Sequence, residues 1–171
     1  MSLNRGPALG LTSLKSGGNI FQCLNSILCN AKGCSELVKL ELIAKQCMPL
    51  LLYGIKSFNL SATEIRFINS LLNMAYRKIF AFNKWESLKC LIVFLGRTDF
   101  SHTFQMRRIL FLKKLEHSSN SVMLALLNFI KFKYEYSKVM TVGASTINID
   151  SSVGTVRRML FDHFESTIDF N

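Results

Sequence analysis

The sequence predicts an all-α protein: a helical bundle of about five to six helices with a loosely structured C-terminal tail. Three observations carry that expectation. Hydrophobic residues make up 49% of the 171 residues, which is enough to bury a core and too many for disorder along the whole length. Between Ile20 and Lys138 apolar residues recur at helical spacing, with Ser, Gly and Pro standing where helices start, stop and bend. Beyond Lys138 the pattern changes to short β-branched runs broken by Gly, Ser and Asp, in "VMTVGASTINIDSSVGTV".

The elements follow in order. Residues 1–19, rich in Gly, Ser and Asn, read as a flexible lead-in. Ile20, Leu24, Ile27, Leu28 and Ala31 mark the apolar face of a first helix, and Gly33 is expected to end it in the left-handed conformation. Ser35 caps a second helix, with Glu36 favourably placed in its first turn. From Cys47 to Ile55 that segment carries no charge, and Pro49 must clash with the carbonyl four residues back. A kink or break is therefore expected near Lys45 to Met48.

"SATE", Ser61 to Glu64, is a capping box that opens a third helix running to about Phe82. A fourth is expected from about Glu86 to Leu95, ending at Gly96, and a fifth from just after Ser101 to about His117. Ser119 to Ser121 can cap a sixth that ends near Lys138. The segment after it reads as loop, weak hairpin or disorder. A last helix from about Ser152 to Glu165 is expected to bury Met159, Leu160 and Phe164. The domains predicted are thus a lead-in (1–19), a helical domain (20–138) and a tail (139–171).

Lysine and arginine number 21 against 11 acids, a formal charge of +10 that favours a polyanionic partner. No apolar run reaches the roughly 18 residues of a membrane span, and residues 1–19 lack the apolar core of a secretory signal. A cytoplasmic or nuclear protein without a membrane span is expected. Five cysteines, an odd number, argue for free and mainly buried thiols in a reducing compartment. Zinc is the sharper reading of Cys23, Cys29 and Cys34, but on a helix the first two lie about 240° apart. No metal and no cofactor are expected.

Within the third helix, Arg66, Asn69, Ser70, Asn73 and Arg77 share an arc about 100° wide when each residue advances by about 100°. Glu64 falls on the far side, so the arc holds no acid, and the remaining apolar residues are expected to be packed. Side chains that all donate hydrogen bonds suit a phosphate backbone. A simple solvated face is the plainer alternative. From Ser61 to Glu116 ten basic residues face four acids, and Arg107 and Lys114 share one side of the fifth helix. Two neighbouring basic ridges would make a groove wall. The leading phosphate contacts are therefore Arg66, Asn73, Arg77, Lys78, Arg107 and Lys114.

"CLNSILCNAKGCSELVKLELIAKQCMPLLLYGIKSFNL", "LNMAYRKIF", "ESLKCLIVFLGR" and "RRILFLKKLEHSSNSVMLALLNF" occur in that order. Together they resemble the region just after the catalytic palm in reverse transcriptases of LINE-type, non-LTR retrotransposons. The similarity covers about residues 20 to 138. Its most specific part is Cys47, Pro49, Leu51, Leu52, Tyr53 and Gly54, followed by Arg77 to Phe80 and by Arg108 to Leu115. The resemblance implies a thumb that grips template-primer duplex while the palm does the chemistry.

A palm needs clustered carboxylates to hold two Mg²⁺ ions, and no two acids are adjacent here. The expectation is a truncated, non-catalytic copy that binds RNA/DNA duplex through its phosphates whatever the sequence. The alternative is a helical protein-interaction module, which self-associates through a patch uncovered by loss of the palm. A third reading has the protein lying on acidic membranes.

Other chemistry is thinly represented. His102, His117 and His163 show no evident partners, and in "DHFE" Asp162 and His163 project about 100° apart on a helix. Neither a nucleophile elbow nor a glycine-rich phosphate loop occurs. Trp85 and the phenylalanines are expected in the core rather than against bases.

Overall fold

The computed structural model describes residues 21–53, 60–127 and 136–168. The lead-in at 1–19 and the segments between these ranges lie outside the described residues. The chain is mostly helical, with one two-stranded sheet among the described residues. It divides into two compact units, Met1–Leu88 and Lys89–Asn171.

In the first unit, α1 (21–30) buries Leu24 and Ile27, with Ala31 just beyond it. Gly33 does not take the expected left-handed conformation; the chain turns away instead as the Cys34 amide donates to the Ala31 carbonyl at 3.0 Å. Ser35 caps α2 (Glu36–Leu42), accepting from the Val38 amide.

The break expected before Pro49 takes the form of a π turn, Ile43–Cys47, leading into α3 (Met48–Leu52). Here the Met48 amide reaches back five residues to the Ile43 carbonyl. The wider turn accommodates a proline that an α turn would set against the carbonyl of Lys45. Ile43 and Cys47 stay buried on one side of it, as do Leu51 and Leu52 of α3.

Helix α4 (Ala62–Phe80) opens on the capping box seen in the sequence. The Glu64 amide donates to the Ser61 hydroxyl at 3.3 Å, and the Ser61 amide donates to the Glu64 carboxylate at 2.7 Å. Ile68, Leu72, Ala75 and Ile79 form its buried face. The helix stops at Phe80 because Ala81 adopts a left-handed φ of 55°, and the Phe82 amide bonds to the Arg77 carbonyl at 3.1 Å.

The second unit starts with α5 (Lys89–Phe94), which ends in a Schellman motif. The Gly96 amide donates to Val93 and the Arg97 amide to Ile92, while Gly96 takes a φ of 64°. Helix α6 (Phe100–Glu116) is capped by Asp99, two residues before the serine expected to precede it. Helix α7 (Ser121–Leu127) follows, with the Asn120 side chain accepting from the Val122 amide. A short helical stretch, α8 (136–140), leads into strands β1 (Thr141–Val142) and β2 (Ser145–Thr146). Thr141 pairs with Thr146 and Val142 with Ser145, antiparallel. Helix α9 (Val153–Ser166), capped by Ser152, completes the unit.

Residues 139–168 are not a loose tail. Val139, Met140, Val142, Ile147, Val156 and Leu160 form one buried cluster with Ile109 and Leu112 of α6. The physical reason is α6 itself, whose buried face finds its cover in the hairpin and α9. Gln105 adds a polar tie, its side-chain amide donating to the carbonyls of Val139 and Thr141.

Candidate nucleic-acid interface

Helix α4 carries the predicted strip, and the structure divides it. Arg66 and Ser70 are exposed, whereas Asn69, Asn73 and Arg77 are half-buried. The solvent side is turned toward Thr63, Phe67 and Lys78, which together with Arg66 and Ser70 span an arc of about 120°. Phe67, expected in the core, is 51% exposed.

Arg77 is held inward. Its Nη2 donates to the Glu86 carbonyl at 3.3 Å, and its Nε is buried with no hydrogen-bond partner. The Asn73 Oδ1, one helical turn earlier, is likewise buried and unpaired. Neither residue is presented to a phosphate as expected: the chain after α4 turns back and its Glu86 carbonyl takes up the Arg77 guanidinium. Lys78 points to solvent and remains available.

The turn that receives Arg77 is itself well built. The Glu86 amide donates to the Asn83 carbonyl at 3.2 Å. In return the Asn83 amide and its side-chain amide each donate to a Glu86 carboxylate oxygen at 2.9 Å. These bonds favour the ionised carboxylate and hold Glu86 below its ordinary value. Lys84 and Trp85 occupy the two central positions. Trp85, expected in the core, is 88% exposed, with the Lys84 ammonium 5.3 Å from its ring centre.

In the second unit Arg107 and Lys114 are both exposed on α6. Lys113 is engaged, donating to the Ser151 carbonyl, and Arg108 lies 5.8 Å from the Phe104 ring centre. The two basic surfaces thus belong to separate units.

The histidines expected to lack partners have them. Asp99 Oδ1 accepts from His102 Nδ1 at 2.5 Å, and His102 Nε2 lies 3.0 Å from His163 Nδ1. An ionised Asp99 can only accept, so a neutral His102 offers Nε2 as an acceptor to His163. This chain joins the start of α6 to α9 across 61 residues. A Cβ on Gly143 would lie 2.8 Å from the His163 ring, so the hairpin turn packs directly against it. His117 is also engaged, its Nδ1 2.8 Å from the Lys113 carbonyl.

Among the described residues no group of three His, Cys, Asp or Glu side chains is placed to hold a metal. Of the five thiols only Cys47 is buried. Burial, followed by a hydrogen bond with Cys23, pushes its pKa up to about 12. Cys29, Cys34 and Cys90 are exposed, contrary to the expectation of buried thiols. No described helix is long and apolar enough to cross a membrane. The chain matches no family model, no curated protein and no solved structure.

Proposed function

We propose that the chain is a non-catalytic remnant of a reverse-transcriptase thumb that binds RNA/DNA template-primer duplex through backbone phosphates, whatever the sequence. The observation that carries this reading is the exposed side of α4, where Arg66 and Lys78 flank Ser70 and no acid intervenes. The one acid of the helix, Glu64, is folded back onto Ser61. Arg107 and Lys114 supply a second pair of free cations, and the overall charge of +10 favours any polyanion.

The test is fluorescence anisotropy of a labelled RNA/DNA hybrid over a salt series. Wild type should weaken with salt by a log-log slope of about 0.9 per phosphate neutralised on duplex DNA, and somewhat less on the hybrid. Arg66→Glu/Lys78→Glu should lose both affinity and slope. Arg77 is left intact, because a carboxylate there would face the Glu86 carbonyl and disturb the fold. Salt-insensitive binding, or equal binding by the variant, would defeat the reading.

Exposed apolar side chains favour a second reading, a protein-interaction surface. Leu37 and Leu50 are each about two-thirds exposed, and Tyr53 is 87% exposed. Concentration-dependent self-association in sedimentation, abolished by Leu37→Ser/Leu50→Ser, supports it; a monomer at all concentrations removes it.

A further inference from the structure

We infer that Trp85 is a stacking platform for an unpaired nucleobase, presented to solvent by the turn that Arg77 ties to α4. The inference rests on the nucleic-acid reading above and adds a ligand to it: a single-stranded segment or a frayed end.

Three independent features meet at this residue. Trp85 is the one tryptophan in the chain and carries the largest apolar surface a side chain can offer, yet 88% of it faces solvent. Leaving such a ring in water forgoes burial, which a ligand stacked on it would recover. The turn beneath it is closed by hydrogen bonds. Asn83 and Glu86 close it with three hydrogen bonds, Arg77 ties it to α4, and Leu88 is buried just beyond.

The surroundings select the ligand. Asn83, Lys84, Glu86 and Ser87 are all exposed and polar, so Trp85 stands among hydrogen-bonding and charged side chains of its own turn, one of them a cation. The Glu86 carboxylate accepts two bonds from Asn83, while the Lys84 ammonium stands over the ring. A base can stack on the other face of the indole, with Lys84 reaching the adjacent phosphate. Aromatic stacking combined with a cation along the backbone is how single strands are held without sequence preference.

The solitary tryptophan is also its own reporter. Trp85 emission is followed in the full chain during titration with a short oligothymidylate. Trp85→Ala and Trp85→Phe are compared by anisotropy on the same oligonucleotide and on a blunt RNA/DNA duplex. Stacking should quench the emission. Trp85→Ala should weaken single-strand binding roughly tenfold, with Trp85→Phe largely retaining it and blunt-duplex affinity unchanged in both.

If duplex binding persists while emission stays constant and Trp85→Ala binds the single strand like wild type, the stacking role is overturned and the phosphate reading stands. If neither nucleic acid binds, both fall. If emission shifts with phosphatidylserine vesicles and not with oligonucleotide, Trp85 is a membrane anchor and the inference is wrong.

Discussion

Arg77 and Glu86 show how far a residue can be read in isolation. The polar side of α4 is visible in the sequence, because helical spacing alone brings Arg66, Ser70 and Arg77 together. The fate of Arg77 is not visible, since its partner is a backbone carbonyl nine residues on, in a turn without repeating pattern. Trp85 is misread for the related reason that aromatic residues usually go inside. The histidine chain needs a hydrogen bond spanning 61 residues, for which no local signal exists. Glu86 carries a testable consequence. Its folded value lies below the ordinary 4.5, so it supports the turn fully above that pH and the support is lost as pH falls through the lower folded value. Trp85 emission and the Asn83 amide shift should therefore change together at a midpoint below 4.5, and Glu86→Gln should abolish the transition. A midpoint at or above 4.5 would show that Asn83 does not hold the carboxylate in solution.

Helix boundaries were most legible where a side chain or a glycine closes the helix end within a few residues. The Ser61 box, the Ser35 and Ser152 caps and the stop at Gly96 all lie within a single turn. Asp99 and Ser101 are both good caps in sequence, and only the geometry chooses between them. The two best-defined helix ends make an instructive pair. Helices α4 and α5 both finish on a left-handed residue, but α5 uses Gly96 and α4 uses Ala81, whose Cβ disfavours that conformation. Ala81→Gly should relieve this cost and retain part of the gain after the greater freedom of an unfolded glycine is counted. A stabilisation of about 0.5–1 kcal/mol in urea unfolding is expected, with α4 ending where it does now. Unchanged or lower stability would mean that Ala81 leaves the left-handed region in solution.

At the scale of the whole molecule, the helical class was readable from composition and periodicity, while the division of the chain was not. Val139, Met140, Val142 and Ile147 look like tail because they sit among Gly, Ser and Thr in runs too short to show a period. Their burial depends on α6, which is distant in sequence, and on α9, which follows the hairpin. Each unit has its own buried residues, Leu40, Leu72 and Ile79 in one and Ile109, Val156 and Leu160 in the other. Hydrogen-exchange mass spectrometry in rising urea should therefore show amides of α4 and of α9 losing protection at different midpoints. A common midpoint for both helices would reveal a single cooperative unit. The π turn before Pro49 bears on how this chain can change length over generations. A regular turn would span Ile43–Cys47 with one residue fewer and leave Leu40 and Leu51 facing as they do, yet the proline ring closes that route. Loss of a residue there and replacement of Pro49 are thus linked events, and the extra residue is locked in for as long as the proline remains.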